Sequence, residues 1–388
     1  MGVLILKVGL VLYATFACLG ISGIQLSSGV ILIGIVIMSL QRKKVNFYSE
    51  ENKNIFIVVF IFILWNFIVS VFGSVPKLSI RKLVEFCGAF LIGLGLLNSK
   101  EEGKYDFRKK VIYVLIFFCM IESMYGVLQY FTGVDFVHKT KFSGQRIRGT
   151  LGYCNSLGGV LGMMVPFIYA NLIFLSSQKI KERIFLGLSL IFSMFALILT
   201  FTRGAWAGVA ISVFLISFYK FKWKSLLLFL IIPVLLVFAP VRERVKETID
   251  NPEGGREEIW RYSLELIKEK PFTGYGFFSF QEKVRQKDYY IAEYHFHTHN
   301  VYLNTMLQSG VVGVLLLILF FLFILRDVVV KNLQFKNNGV ILGILGVVLD
   351  FYIHGLVDNV LWGETLYMFI FFVGLSLSLK EKEELILF

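Results

Sequence analysis

The chain is predicted to be an all-α polytopic membrane protein with about 12 transmembrane helices. Three observations lead there. Of its 388 residues, 56% are hydrophobic and only 17% charged, where a soluble domain carries about 25%. Apolar runs near twenty residues, the length a helix needs to cross the hydrocarbon core, recur along the whole sequence. Those runs are continuous rather than alternating, unlike the short segments of a membrane barrel.

In order, the spans are expected at 3–20, 22–40, 54–73, 83–98, 111–131, 150–176, 184–201, 204–219, 225–239, 303–325, 339–359 and 361–379. The first run, Val3 to Ile21, has no basic leader or cleavage site and reads as a retained helix. The seventh and eighth spans are parted only by the short turn at Thr202-Arg203. With the N-terminus inside, loops 41–53, 99–110, 177–183, 220–224, 326–338 and the tail hold more Lys and Arg than the short external loops. Both termini are therefore expected in the cytoplasm.

Residues 1–388 read as a single transmembrane domain, into which one long, partly helical extracytoplasmic loop, 240–302, is inserted between spans 9 and 10. Loops of that length translocate largely regardless of charge. Within it Val241 to Thr248 is a charged helical stretch, and Asn251-Pro252-Glu253-Gly254-Gly255 a turn. Arg256 to Lys270 follows as an amphipathic helix with Ile259, Trp260, Leu264 and Ile267 on its apolar side. Pro271 stops it, and Gly274-Tyr275-Gly276 makes a tight turn.

The net charge of +12 would raise nucleic acid as a partner in a soluble protein. Here it flanks helices as a topology signal, so membrane lipids and not nucleic acid are the expected surroundings. Cys18, Cys87, Cys119 and Cys154 sit in or beside apolar runs at no metal or redox spacing and read as small core residues.

Several polar residues stand against this apolar background. Loop 132–149 is basic although external, with Lys139, Lys141, Arg146 and Arg148, and Arg203 lies alone between two apolar runs. A charge there is costly unless it meets a cavity or a partner. An anion on the outer side is one reading, and lipid headgroup contact or snorkelling the other. Arg256 opens a helix, where free N–H groups and the dipole already favour an anion; pairing with Glu257, Glu258 or Asp250 is the plainer alternative.

Three of the five histidines, His295, His297 and His299, alternate. Such a run suits a general base or substrate ligand near neutral pH. Zinc would need a further carboxylate, of which Glu293 is nearest, and no metal or cofactor is expected. Asp350, His354 and Asp358 recur every four residues on one face of the eleventh span, as a proton relay, a cavity wall or a structural pair. Glu85, with Arg81 or Lys82 as neighbour, and Glu122 are further buried carboxylates.

Taken in order, Arg146-x-Arg148-Gly149-Thr150-Leu151-Gly152 with Asn155, Thr202-Arg203-Gly204-Ala205, Gly255-Arg256 with Trp260, Pro271-x-x-Gly274-x-Gly276, and His297-x-His299-Asn300 with Tyr302, Gly310 and Gly313 resemble the O-antigen ligase and polymerase superfamily of bacterial membrane glycosyltransferases. The likeness covers roughly residues 140–320. It implies a GT-C-type fold in the bacterial plasma or inner membrane, with an extracytoplasmic active site. It implies a polyprenyl-diphosphate-linked glycan donor, a glycan, lipid or protein acceptor, and no metal.

Carried over by the resemblance, Arg203 and Arg256 are diphosphate ligands and His299 the essential histidine, the three catalytic residues. Arg146, Arg148, Asn155, Trp260, His297, Asn300 and Tyr302 are expected to bind substrate. The expected reaction is a metal-independent, inverting transfer by a surface-polysaccharide polymerase or ligase. The competing class is a polysaccharide or lipid-linked-sugar transporter, supported by the Asp350, His354, Asp358 stripe. A structural scaffold would leave Arg203 unexplained.

Overall fold

The computed structural model describes residues 1–48, 50–99, 107–141, 146–175, 179–230, 233, 236–251, 256–286 and 296–379. These form an all-α bundle with one two-stranded hairpin. The helices are α1 (Gly2–Phe16), α2 (Ile21–Leu40), α3 (Lys53–Val71), α4 (Pro76–Asn98), α5 (Phe107–Thr132), α6 (Cys154–Phe174), α7 (Ile180–Thr200), α8 (Arg203–Phe221), α9 (Ala239–Asp250), α10 (Glu257–Glu269), α11 (Phe280–Arg285), α12 (Val301–Gln334), α13 (Gly339–Gly355) and α14 (Gly363–Ser378). Strands β1 (Val134–Asp135) and β2 (Thr140–Lys141) pair antiparallel in the loop after α5. Among the described residues, seven helical segments are long and apolar enough to cross a membrane, and α1, α13 and α14 are shorter apolar helices. The protein is thus a multi-pass helical membrane protein. Helices dominate because a backbone in hydrocarbon must satisfy its N–H and C=O groups internally.

Eleven of the twelve expected runs coincide with helices. The ninth, 225–239, lies partly outside the described residues; up to Leu230 it is a 3-10 stretch continuing from α8. Span 339–359 ends early, at Gly355, so Asp358 leaves the helix it was expected to share with Asp350 and His354. In the long loop, α9 and α10 form where charged and amphipathic helices were read. On α10 the buried residues are Ile259, Ser263, Leu266 and Ile267, while Leu264 is 51% exposed and faces away from them.

α6, α13 and α14 form the interior, buried along most of their lengths. They approach closely through small residues. A side chain at Gly374 would come within 2.5 Å of the Gly93 backbone, and one at Gly162 within 2.7 Å of the Asp350 carboxylate. Without a hydrophobic drive between helices in lipid, such close backbone packing is a main source of association.

The polar loops gather at one end of the bundle, locked by a break in α12. Gly310 has φ 65°, and a side chain there would collide with Phe272 at 2.1 Å. The break frees carbonyls that would otherwise bond along the helix. Leu307 O accepts from Tyr275 N at 3.0 Å and Gln308 O from Gly276 N at 2.9 Å. Ser309 O accepts from Trp65 Nε1 at 2.8 Å. The Pro271–Gly276 turn is thereby fixed to the membrane bundle, and Ser74 N, between α3 and α4, donates to Tyr275 O.

Candidate active site

Arg146 lies in the stretch between β2 and α6. That stretch bends through glycines at positive φ, Gly149 (60°) and Gly152 (80°). Gly149 presses so close to Glu122 that a side chain would lie 1.9 Å from its carboxylate. Glu122, expected as a buried acid, accepts from Thr150 N at 2.6 Å and from its hydroxyl at 2.8 Å. The turn so held aims Arg146 inward. Its Nε donates to Thr200 O at 2.8 Å, and its Nη2 donates to Asn155 Oδ1 at 2.7 Å and Thr202 Oγ1 at 3.3 Å.

Arg203 is the first residue of α8, after a turn so tight that Phe201 adopts φ 51°. Its Nη1 donates to Thr248 Oγ1 of α9 at 3.2 Å. Arg256 occupies the N-terminal cap of α10, and its guanidinium reaches Val357 O at 2.5 Å instead of pairing with Glu257, Glu258 or Asp250. Trp260, one turn on, donates from Nε1 to Thr298 O at 2.9 Å and so ties α10 to the histidine turn.

His297 and His299 lie just before α12, their rings 4.3 Å apart. His295 and Glu293 lie outside the described residues. Asn300 caps α12, accepting from Leu303 N at 2.8 Å, while its Nδ2 donates to Leu356 O at 2.9 Å. The histidine turn is therefore bonded to the loop between α13 and α14. There Asp358 becomes the centre of the site. Its Oδ1 lies 3.0 Å from His299 Nδ1 and accepts from Asn359 N at 2.8 Å. Its Oδ2 accepts from Asn155 Nδ2 at 2.7 Å and stands 4.0 Å from His354 Nε2.

One hydrogen-bonded chain thus runs from Arg146 through Asn155 and Asp358 to His299, with Arg256 on the adjoining carbonyl. Burial alone would push the Asp358 carboxyl up. The hydrogen bond to His299 and the charges of His297, His299 and His354 outweigh that and hold it well below the usual carboxylate range. A carboxylate can only accept, so the proton in the Asp358–His299 contact sits on His299 Nδ1, and Nε2 is the ring nitrogen not engaged by Asp358.

The arginines also feel one another. Burial lowers the Arg256 pKa, Asp358 opposes this, and Arg203, Arg146 and Arg244 add to the lowering. Burial likewise lowers that of Arg146, with Arg244 contributing. Guanidiniums stay charged despite such shifts. Four guanidiniums therefore share one region with two carboxylates, Glu247 and Asp358, a net positive surround that suits an anion.

Not every expected residue joins them. Arg148 turns aside into the β1–β2 hairpin, donating to Asp135 Oδ2 at 2.9 Å and Thr140 Oγ1 at 2.7 Å. Asp135 also binds His138 and Tyr125, so Arg148 is spent on the hairpin. Tyr302 packs edge-on against Phe321. Arg244, on α9, pairs with Glu247 at 2.5 Å and was not singled out from sequence, since it is one of several charges on that helix. Asp358 was singled out, but as part of a helix face; its contact with His299, 59 positions away, left no local trace.

His297, His299 and Asp358 each bring a ligand atom within 4.8 Å of the others. That donor set suits a divalent cation, with Asp358 where the sequence suggested Glu293. In the protein alone, N–H donors of Asn155, Asn359 and His299 already occupy both Asp358 oxygens.

Residues 188–318 match the family model for O-antigen ligase. The match takes in Arg203, Arg244, Arg256 and His299, while Arg146, Asn155 and Asp358 lie outside it. An uncharacterized protein of Haemophilus influenzae is 25% identical over 356 residues, 81% of this chain and 83% of its own. A ComP-specific O-oligosaccharyltransferase of Acinetobacter baylyi is 24% identical over 347 residues, 84% of this chain. The match spans 61% of that relative's length. Residues 188–318, about a third of the chain, thus match the family that its motifs resemble. It is a membrane enzyme of the glycosyltransferase type.

Proposed function

We propose that the chain transfers a glycan from a polyprenyl-diphosphate carrier to an acceptor hydroxyl, at the outer face of a bacterial plasma or inner membrane. The observation that carries this reading is the continuous link between a cluster of guanidiniums and a carboxylate-oriented imidazole. The diphosphate lies against Arg203, Arg256 and Arg146, with Arg244 adding charge. The acceptor oxygen attacks the anomeric carbon and passes its proton to Nε2 of His299, and the imidazolium formed is stabilised by Asp358. The anomeric C–O bond breaks toward the lipid diphosphate, whose new negative charge the guanidiniums meet. Preorganised charge of this kind is worth about 10²–10³ in rate per donor, and a general base about 10²–10⁴.

A single displacement inverts the anomeric centre and needs no metal. Transfer of an oligosaccharide to oxygen, as the name of the Acinetobacter baylyi relative states for that protein, supports ligase chemistry over chain polymerisation. The transporter reading rested on Asp350, His354 and Asp358 as one stripe, and Asp358 instead engages His299. The test is product analysis by NMR after incubating purified protein with a polyprenyl-diphosphate oligosaccharide and a hydroxyl acceptor. A new glycosidic bond of inverted configuration is expected. Retention, or movement of the lipid across liposomes without a new bond, overturns the proposal.

A further inference from the structure

Trp362 shares the loop that carries Asp358. One face of its indole meets Phe278, with ring centroids 4.7 Å apart. The residue also walls a cavity of about 270 Å³, close to the N-terminal ends of α2, α4 and α14. Gln25, Lys82, Glu85, Phe86 and Tyr367 form much of the rest. None of these has a part in the diphosphate and proton chemistry above.

The lining has a definite character. Lys82 Nζ is 2.7 Å from the Glu85 carboxylate and 4.8 Å from the Trp362 ring centroid. The Tyr367 hydroxyl donates to Glu85 O at 3.1 Å. Glu85 balances Lys82 directly and reaches exposed Arg81 only at 3.8 Å, so an anion gains less here than at the arginine cluster. A neutral polyol gains more: the carboxylate accepts from hydroxyls, the ammonium donates to them, and the Gln25 amide does both. The indole, with Lys82 Nζ over its ring and Phe278 tilted against it, adds apolar wall with a polar edge. With side chains 19% and 28% exposed, Lys82 and Glu85 keep atoms open to a ligand. The volume lies near the lower end of the roughly 300–1,000 Å³ usual for small-molecule sites, which suits one ring-sized unit.

We propose that this cavity is a subsite for a neutral pyranose unit of the glycan, away from the bond being made; the assignment rests on the glycan-transfer reading. Trp362 and Phe86 also line a second, smaller cavity that reaches Asn359, the residue after Asp358. The subsite therefore adjoins the catalytic loop. Binding energy gained there is felt equally before and during the reaction, so it sets KM and not kcat.

The test uses the full chain in detergent carrying Ile21→Cys, at a half-buried apolar position on the cavity wall. The probe is the oligosaccharide released by mild acid from the polyprenyl-linked pool of the source cells. Maleimide alkylation of the new cysteine, measured against the unsubstituted chain, is expected to slow with that oligosaccharide and not with undecaprenyl diphosphate lacking sugar. An unchanged rate, or equal slowing by the bare diphosphate, overturns the subsite whether or not the protein transfers glycan. In the transfer assay Lys82→Met is expected to raise KM for one glycan substrate about tenfold, the loss of a charged hydrogen bond, with kcat held. The substrate whose KM moves is the one whose sugar sits there, and no movement of either also overturns the subsite. If wild-type protein transfers nothing, the proposed function fails while the alkylation result still decides the cavity.

Discussion

His299 holds φ 52°, a left-handed conformation uncommon outside glycine. Such backbone persists where surrounding bonds over-determine it, as at functional sites. Here the Asn300 cap, the Trp260 tie and Asp358 supply them. His299→Ala is expected to lower kcat about 10²–10⁴-fold with the KM for donor little changed, in steady-state transfer kinetics. Asp358→Asn keeps the shape but loses the charge that fixes the tautomer, so a fall in kcat on the order of 10²-fold is expected; equal rates would exclude the pair. Arg203→Lys keeps the charge but loses the planar fork, and is expected to weaken donor binding measurably rather than restore it. Arg203 stood out in the sequence as a costly charge alone between apolar runs, Arg256 by its place at a helix start and His299 by the alternating histidines of the long loop. Arg148 lies on the hairpin, held by Asp135; charge alone does not show which way a side chain turns. Asp358 was legible as polar but not as a partner of His299, since the apolar run continues past Gly355 and the glycine alone did not fix where the helix stops.

At the level of elements, the break in α12 explains why Pro271, Gly274, Gly276 and Gly310 recur together. Gly310 opens the helix, and the Pro271–Gly276 turn bonds to the carbonyls exposed there. Gly310→Ala would force a side chain into Phe272 O at 2.1 Å and into a disfavoured φ. It is expected to destabilise by at least about 1–3 kcal/mol, read as a lower Tm in detergent. The β1–β2 hairpin depends on Asp135. Burial would raise its pKa, but His138, Tyr125 and Arg148 outweigh burial and hold it well below the usual range. A folded value below the unfolded one means this stabilisation is present above about pH 4, the ordinary Asp value, and is lost as pH falls through the lower folded value. Asp135→Asn should therefore narrow the gap in Tm between neutral and acidic buffer. The glycine spacing of these turns was readable in advance; the bonds that give it meaning join segments distant in sequence and were not.

Over the whole molecule, hydropathy located the apolar helices because a lipid surroundings imposes length and composition on each run independently. It did not reveal the order of burial, in which α6, α13 and α14 lie inside, because buried and lipid-facing residues are equally apolar. The charge bias predicts the histidine turn on the outer face. Phe296→Cys, at an exposed position beside His297, is expected to react with a membrane-impermeant maleimide in intact spheroplasts, and labelling only after permeabilisation would reverse the topology. The central claim is that arginines hold the donor while the His299–Asp358 pair activates the acceptor. Its most direct test measures binding and turnover of a radiolabelled polyprenyl-diphosphate oligosaccharide by His299→Ala and by the combined Arg146→Ala, Arg203→Ala, Arg256→Ala protein, both shown to be folded. The account predicts that the histidine variant binds donor as wild type does yet transfers almost none, and that the arginine variant fails to bind. Near-normal transfer by the first, or near-normal donor binding by the second, would contradict it.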